Sequence, residues 1–437
     1  MAQLYPFTDP IDAARSPPVR MVSGQGCHVT DSDGDTYLDA VAGLWCASLG
    51  FSDARLVAAA HTQMQTLAYY HGFMGRTSEV TERLAERLVA RLPAPLSRVF
   101  FGCTGSDAVD SAVKLARFYQ NARGKPGKKR VIAREGGYHG SGIASASLTS
   151  MAYCHEGFDL PEATVLRTGR PHYLRDAEPG ESERDFSRRR ARELDELIVA
   201  AGPDTVAAFI GEPVIGSGGV ILPPEGYWAE ISVVLRRHDV LLIADEIITG
   251  FGRTGEWFGA ETYAIEPDMM TMAKQLSGAH FPISALAIGT HVHEVVAARA
   301  HELGTFGHGY TYGGHPVGAA VALAALDVYE EMDLPRHVRW LGERLATGLA
   351  PIAALEGVDD LRRVGLIAGV ELDARFGEPG AFGRAVGEEA RRRGVLFRVI
   401  GDTLAISPPL IVTPAEIDRL CGALRDSIET VAGRRAA

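Results

Sequence analysis

The stretch from Thr205 to Glu246 constrains the fold more than any other part of the chain. TVAAFIGEPV reads as a buried strand closing at Glu212, GYWAEISVVLRRH as an amphipathic helix, and VLLIADE as a second buried strand closing at Asp245. A strand–helix–strand run of this kind crosses over right-handed and gives two parallel neighbours buried on both faces. Glu212 and Asp245 then emerge at one carboxyl edge of one sheet, the edge at which α/β proteins bind ligands. The alternation begins upstream, with the strand RVFFG, the turn CTGSD, the helix AVDSAVKLARFY and the strand RVIA closing at EGGYHG. It continues downstream through the apolar run MMTMA to Lys274 and the strand ALAIG. The fold class is α/β, with a mainly parallel central sheet flanked by helices.

The flanks read differently. Val19 to Ala40 is predicted to be a hairpin about the turn DSDGD. Alternating Asp31, Asp33 and Asp35 resemble a calcium loop, but such a loop needs glycine sixth and glutamate twelfth, where this chain has Thr36 and Ala42. After the His/Gly/Tyr loop GTFGHGYTYGGHP come a long helix, the helix HVRWLGERLATGLAPIAAL, the strand RRVGLIAGVEL, a further amphipathic helix and paired short strands in GVLFRVIGDTLAISPPL. These elements predict a large domain over residues 51–320 and a smaller α+β domain assembled from 1–50 and 321–437. ERDFSRRRARELDELI reads as a solvated helix carrying opposite charges at helical spacing.

A net charge of -11 argues against a nucleic-acid surface. Five cysteines with no CxxC spacing fit a reducing, cytoplasmic setting without structural zinc. No run approaches the length of a membrane span, and the N-terminus lacks the pattern of a signal peptide. Among 44 basic residues the only lysines are Lys114, Lys125, Lys128, Lys129 and Lys274. Arginine meets any need for permanent charge, whereas an amine nucleophile has to be lysine. Lys125, Lys128 and Lys129 crowd a Gly/Pro-rich loop and Lys114 a polar helix turn, so solvated roles are expected for them. Lys274 alone follows an apolar run, which favours its neutral, reactive form. The plain alternative is a lysine that ends a strand and reaches water.

Other motifs divide into decoys and parts. GFGRTG at 250–255 matches GxGxxG, yet DEIIT separates it from its strand and EWFG is a poor helix start, so a dinucleotide site is not expected. His291 and His293 alternate on one face of a short element but lack a third ligand, and no metal site is expected. CTGSD at a helix start suits a phosphate; taken alone it is equally an ordinary cap, with Ser106 capping and Asp107 in the first turn. A phosphate cradle, a tyrosine in a glycine-rich loop, a strand-end carboxylate and an isolated lysine are together what pyridoxal phosphate requires. Asp245 would hold its pyridinium nitrogen and Lys274 its aldehyde.

The strings CTGSDAVDSAVKLAR, GGYHG, GEPVIGSGGV, DEIITGFGRTG, MAKQL and HGYTYGGHPVG stand in one order, inside a likeness running from GQGCHVTDSDGDTYLDAVAGLW to AISPPLIVTPAEID. That order resembles the class III, fold type I, pyridoxal-phosphate aminotransferases, most of all their omega-amine:pyruvate branch. The resemblance implies that Lys274 forms the Schiff base with pyridoxal 5'-phosphate and then serves as base and acid. It implies Gly105 and Ser106 on the phosphate, with Thr311 from a neighbouring subunit, in a homodimer or tetramer whose sites lie at the subunit interface. Tyr138 would stack on the ring with Ile247 on its other face, His139 would support the loop, Asp245 would hold the ring nitrogen and Glu212 would orient the network. Trp45, Phe73, Tyr138 and Ser217 would line the amine pocket, and Arg398 would grip the carboxylate of a keto acid. The implied reaction is ping-pong transfer of an amino group from an amine or omega-amino acid to pyruvate or a similar keto acid. A 4-aminobutyrate/2-oxoglutarate-type aminotransferase, or a lyase or aminomutase on the same fold, is the alternative. Gly313, Gly318, Ser217 and the loop GAHFP at 278–282 depart from the family's usual residues.

Overall fold

The computed structural model describes residues 2–436. Three short strands come first, β1 (Met21–Gln25), β2 (His28–Asp31) and β3 (Thr36–Asp39). Seven follow in the middle of the chain: β4 (Leu96–Gly102), β5 (Arg130–Arg134), β6 (Val165–Thr168), β7 (Val206–Gly211), β8 (Leu241–Asp245), β9 (Met269–Met272) and β10 (Ser284–Gly289). The last five are β11 (Val358–Val364), β12 (Ile367–Leu372), β13 (Val395–Leu396), β14 (Arg398–Ile400) and β15 (Thr403–Ile406).

The seven middle strands form one sheet in the order β4-β10-β9-β8-β7-β5-β6. Five are parallel to their neighbours, and β10 runs antiparallel to both β9 and β4. Every residue of β7 and β8 is buried, as expected of strands covered on both faces. The helix Gly105–Ala122 covers one face, burying Val109, Ala112, Val113 and Ala116, while Tyr227–Arg237 packs against Glu183–Ala201 on the other. That last helix is less solvated than its charges indicate: Phe186, Ala191, Leu194 and Ile198 form a buried stripe, and its arginines are tied to Asp176, Glu181 and Glu193.

The N-terminal strands differ from a single hairpin. β1 pairs with β2 and β2 with β3, a three-stranded meander whose extra reversal lies at Gly26 and Cys27. The acidic turn satisfies itself, because Asp31 Oδ1 accepts from Asp33 N and Asp35 N, each at 3.0 Å, and Oδ2 from Tyr37 Oη at 2.9 Å. β13 then pairs in parallel with β3, joining the two ends of the chain. RRVGLIAGVEL is two strands, β11 and β12, reversing at Gly365, where φ is +52°. The helix Pro316–Glu331 runs across position 320.

Two local expectations are corrected, and the GxGxxG match finds its place. His291 and His293 lie in the helix Thr290–Leu303, where residues two apart point to different sides, so they do not share a face. Lys128 is buried rather than solvated, its Nζ donating to the carbonyls of His238 at 2.9 Å and Asp239 at 2.6 Å beyond the end of the Tyr227–Arg237 helix. GFGRTG is a packing turn: Gly252 and Gly255 both have φ of +96°, and Arg253 O accepts from Leu366 N at 3.1 Å. Its guanidinium, fully buried, holds the carbonyls of Leu366 and Pro408.

Candidate active site

The parallel half of the sheet brings the chemistry together at its carboxyl edge. β8 ends at Asp245, β7 leads directly into Glu212, β5 into the loop of Tyr138 and His139, and β9 into Lys274. β4 delivers the turn that starts the Gly105–Ala122 helix.

Asp245 is the hub. It is 2% exposed; Oδ2 accepts from His139 Nδ1 at 2.7 Å, and Oδ1 from Thr271 Oγ1 at 3.1 Å and Ile247 N at 3.2 Å. Because a carboxylate only accepts, His139 Nδ1 is the donor in this contact. His139 is held in turn by Thr149, whose Oγ1 accepts from His139 N at 2.9 Å. Thr271 and Thr149 were not singled out from sequence. Thr271 had a signal, being the one polar residue in MMTM, whereas Thr149 had none.

Glu212 braces two loops. Oε1 accepts from Tyr138 N at 3.2 Å and Oε2 from Gly216 N at 2.9 Å, next to Ser217. Burial raises its carboxyl pKa, Asp245 pushes the same way, and His139 and Arg134 pull it back.

Lys274 has φ of +41°, a conformation a non-glycine residue adopts only when its surroundings impose it. Burial of the amine lowers its pKa to about 8, against the opposing pull of Cys46, Asp245 and Glu212; Arg398 adds to the lowering. Lys274 therefore does not end its strand in water, and its amine shares a site with both carboxylates and with Arg398. Arg398 has no ion-pair partner among the described residues, and its Nε is buried without a hydrogen-bond acceptor.

The turn before the helix is built for an anion. The cap is Thr104, not Ser106: Thr104 Oγ1 accepts from Asp107 N at 3.1 Å, while Asp107 Oδ2 accepts from Cys103 N and Thr104 N. This capping box leaves the N–H groups of Gly105 and Ser106 as the open donors of the first turn. A Cβ on Gly105 would lie 2.8 Å from Ile247 Cδ1 and would push that side chain aside, so glycine lets the two segments meet without displacing it. Ser106 Oγ accepts from Ser141 N at 3.0 Å, tying this turn to the loop of Tyr138, whose hydroxyl is 3.2 Å from Ser141 Oγ. Phe7 stands edge-on to Tyr138 and Tyr153, with ring centroids 6.5 Å and 6.0 Å away.

Trp45 directly precedes Cys46, one of the groups that act on the Lys274 amine. Trp45 is 1% exposed, with φ of +65°, in a cluster with Val41, Val214, Ile248 and Ala405, and its indole N–H has no acceptor. Phe73 packs on Gly309, and Thr311 O accepts from Tyr69 Oη at 2.9 Å.

Set beside known proteins, the chain is similar over its whole length to one family. Residues 11–428 match the family described as aminotransferase class-III. An uncharacterized aminotransferase of Sinorhizobium fredii is 44% identical, covering 98% of this chain and 94% of the relative. The mitochondrial gamma-aminobutyrate transaminase 1 of Oryza sativa subsp. japonica is 43% identical, covering 99% and 85%. Among solved structures, the omega transaminase of Pseudomonas jessenii in complex with PMP superposes with a TM-score of 0.97 at 43% identity, covering 99% of this chain and 97% of that one.

Proposed function

This chain belongs to the class III aminotransferases, and on that premise we propose that it is an omega-transaminase, moving an amino group from an amine or omega-amino acid to pyruvate or a similar keto acid in two alternating half-reactions. The observation that carries the reading is a desolvated amine, Lys274, sharing a site with an arginine, Arg398, that has no carboxylate of its own. Transaminases of this class use pyridoxal 5'-phosphate, which when bound supplies an aldehyde to take the amino group and a protonated ring to draw charge from the substrate's alpha carbon. The residues present suit it: two open amides at a helix start, a glycine against Ile247, a buried strand-end carboxylate and one isolated amine.

Each of the chain's residues then has a task. The amides of Gly105 and Ser106 would hold the phosphate, joined by Thr311 of the partner subunit. Tyr138 and Ile247 would flank the ring, with His139 fixing the loop of Tyr138. Asp245, already oriented by His139, Thr271 and Ile247 N, would accept from the ring N–H and keep it protonated. Lys274 would anchor the cofactor, then take the substrate's alpha proton at Nζ and return it; an amine that loses its own proton near pH 8 suits both directions. Arg398 would grip a keto acid's carboxylate with its planar fork and swing out for an amine that lacks one. Trp45, Phe73, Tyr138 and Ser217 would bound the amine.

A homodimer is part of the proposal. Phe73, Met74, Phe306 and Tyr312 are each exposed, Met74 at 89% and Tyr312 at 60%, and bare apolar side chains of this size fit an interface. The pairing of β3 with β13 supports a small domain drawn from both termini, 1–50 and 321–437, against a large one at 51–320. Among the described residues no helix is long and apolar enough to cross a membrane.

The names of the rice relatives favour one second reading, 4-aminobutyrate as donor. Both readings are tested by a panel of an arylalkylamine, beta-alanine, taurine and 4-aminobutyrate against pyruvate and 2-oxoglutarate. Turnover of the arylalkylamine with pyruvate is expected. Turnover confined to 4-aminobutyrate would overturn the first reading.

A further inference from the structure

Arg134, the last residue of β5, is 1% exposed and has no ion-pair partner among the described residues. Its Nη2 donates to the backbone carbonyl of Glu212, while Nε and Nη1 have no acceptor. The guanidinium lies over the Trp228 ring, 5.0 Å from its centroid, and 5.9 Å from that of Tyr227. The absence of a side chain at Gly211 makes room, since a Cβ there would stand 3.2 Å from Arg134 Cζ. Sealing a lone cation in a core is expensive, and two aromatic faces offset only part of it. The chain has kept this cost directly beneath the site.

What the charge faces gives the reason. Glu212 uses both carboxylate oxygens as acceptors, one for Tyr138 N and one for Gly216 N. Protonation would leave one of these oxygens a hydroxyl, a weaker acceptor than a carboxylate oxygen, and the hold on one loop would loosen. The two loops are in contact, with space for a Cβ at Gly218 blocked by Gly136 O at 2.1 Å, so they move as one or separate. The groups facing Glu212 are His139, Asp245, Arg134 and Lys274; beyond Arg134 lie Tyr227, Arg190 and Glu193. Burial and Asp245 both favour a neutral Glu212; His139, the Gly216 N–H and, least of the three, Arg134 oppose them, and among these Arg134 is the permanent cation.

We propose that Arg134 is a positioning residue that keeps Glu212 ionised and, through its two oxygens, clamps the Tyr138 loop to the Gly216–Ser217 loop around the cofactor ring. The proposal rests on the cofactor site described above but not on the identity of the amine.

The test is cofactor release from the holoenzyme after dilution, followed by the absorbance of the bound cofactor at about pH 6.5, 7.5 and 9, with thermal unfolding measured alongside. Rates are taken relative to wild type at each pH, which removes the contribution of Lys274. R134M should release cofactor about tenfold faster at the lowest pH, where loss of the cation raises the Glu212 carboxyl further, and approach wild type at the highest. R134K should restore retention, because it keeps the charge without the fork. E212Q, which cannot accept at both positions, should release faster at every pH. Faster release by R134M that is the same at all three pH values, or no change, would overturn the proposal in favour of a purely structural role. If R134M does not fold, R134K decides alone: release as fast as that of E212Q would overturn the role of charge. Failure of wild type to hold the cofactor would instead sink the functional reading itself.

Discussion

Replacing Lys274 by methionine should stabilise the cofactor-free protein near neutral pH. The ammonium is costly to hold where it is: burial brings its pKa from 10.5 down to about 8. At about 1.4 kcal/mol per unit, that drop is about 3 kcal/mol of destabilisation carried by the charged form. The sign follows from proton counting. Between about pH 8 and 10.5 the unfolded chain holds a proton the folded chain has released, so wild-type stability rises with pH across that window. The full penalty is present below the window and gone above it. Methionine has nearly the same length, no charge and a taste for irregular apolar gaps. The entropy of unfolding for 437 residues is about 0.9 kcal/mol per degree, so the variant should unfold about 3–4 °C higher at pH 7. Thermal unfolding of both apoproteins at about pH 7 and about pH 10 measures the gap directly. The gap should be full at the lower pH and largely closed at the higher. Equal unfolding temperatures at pH 7, or a gap independent of pH, would refute the claim that the amine is held against its charge. The same variant should show no cofactor absorbance after gel filtration, which ties the instability to the residue's chemistry.

Gly105→Ala should weaken cofactor retention by about 1–3 kcal/mol, because its Cβ would meet Ile247 Cδ1 at 2.8 Å; pairing it with Ile247→Ala should recover part of the loss in an equilibrium titration. Arg398→Leu should raise KM for a keto acid by about ten- to a hundredfold in steady-state kinetics, while the half-reaction with an amine lacking a carboxylate stays within about twofold. Lys128→Met should cost about 1–3 kcal/mol in urea unfolding, by stripping the carbonyls of His238 and Asp239 of their buried donor, without altering turnover at low temperature.

The strand–helix–strand runs were legible because their information is local: apolar stretches of strand length, helical spacing between them and a carboxylate where each strand stops. Asp245 and Glu212 could be assigned to one edge for the same reason, since parallel pairing leaves no other arrangement. Lys274 was legible through rarity. What failed to show was whatever depends on the far end of a contact. Lys128 looked solvated because its loop is polar, and only the fold reveals the helix end it plugs. The HVH pair was read with the period of a strand although it belongs to a helix. CTGSD offers two hydroxyls that could cap, and only the fold shows that Thr104 with Asp107 three residues later forms the reciprocal pair, which leaves Ser106 free of that task. Thr149 and Arg134 carried no signal, because a hydroxyl or a guanidinium gains its meaning from what stands opposite.

The sequence by itself therefore determined the class of fold, the edge of the sheet that matters, and an amine and a carboxylate to work there. Side-chain type and hydrophobic period suffice for that, being properties of neighbours along the chain. The tertiary structure decided the state of those groups: the amine's fall to about 8, the hydrogen bond from His139 Nδ1 to Asp245, the two amides left open at the helix start, and the lone cation beneath Glu212. Desolvation and Coulomb fields depend on residues a hundred positions apart that meet only after folding, and no window along the chain contains them.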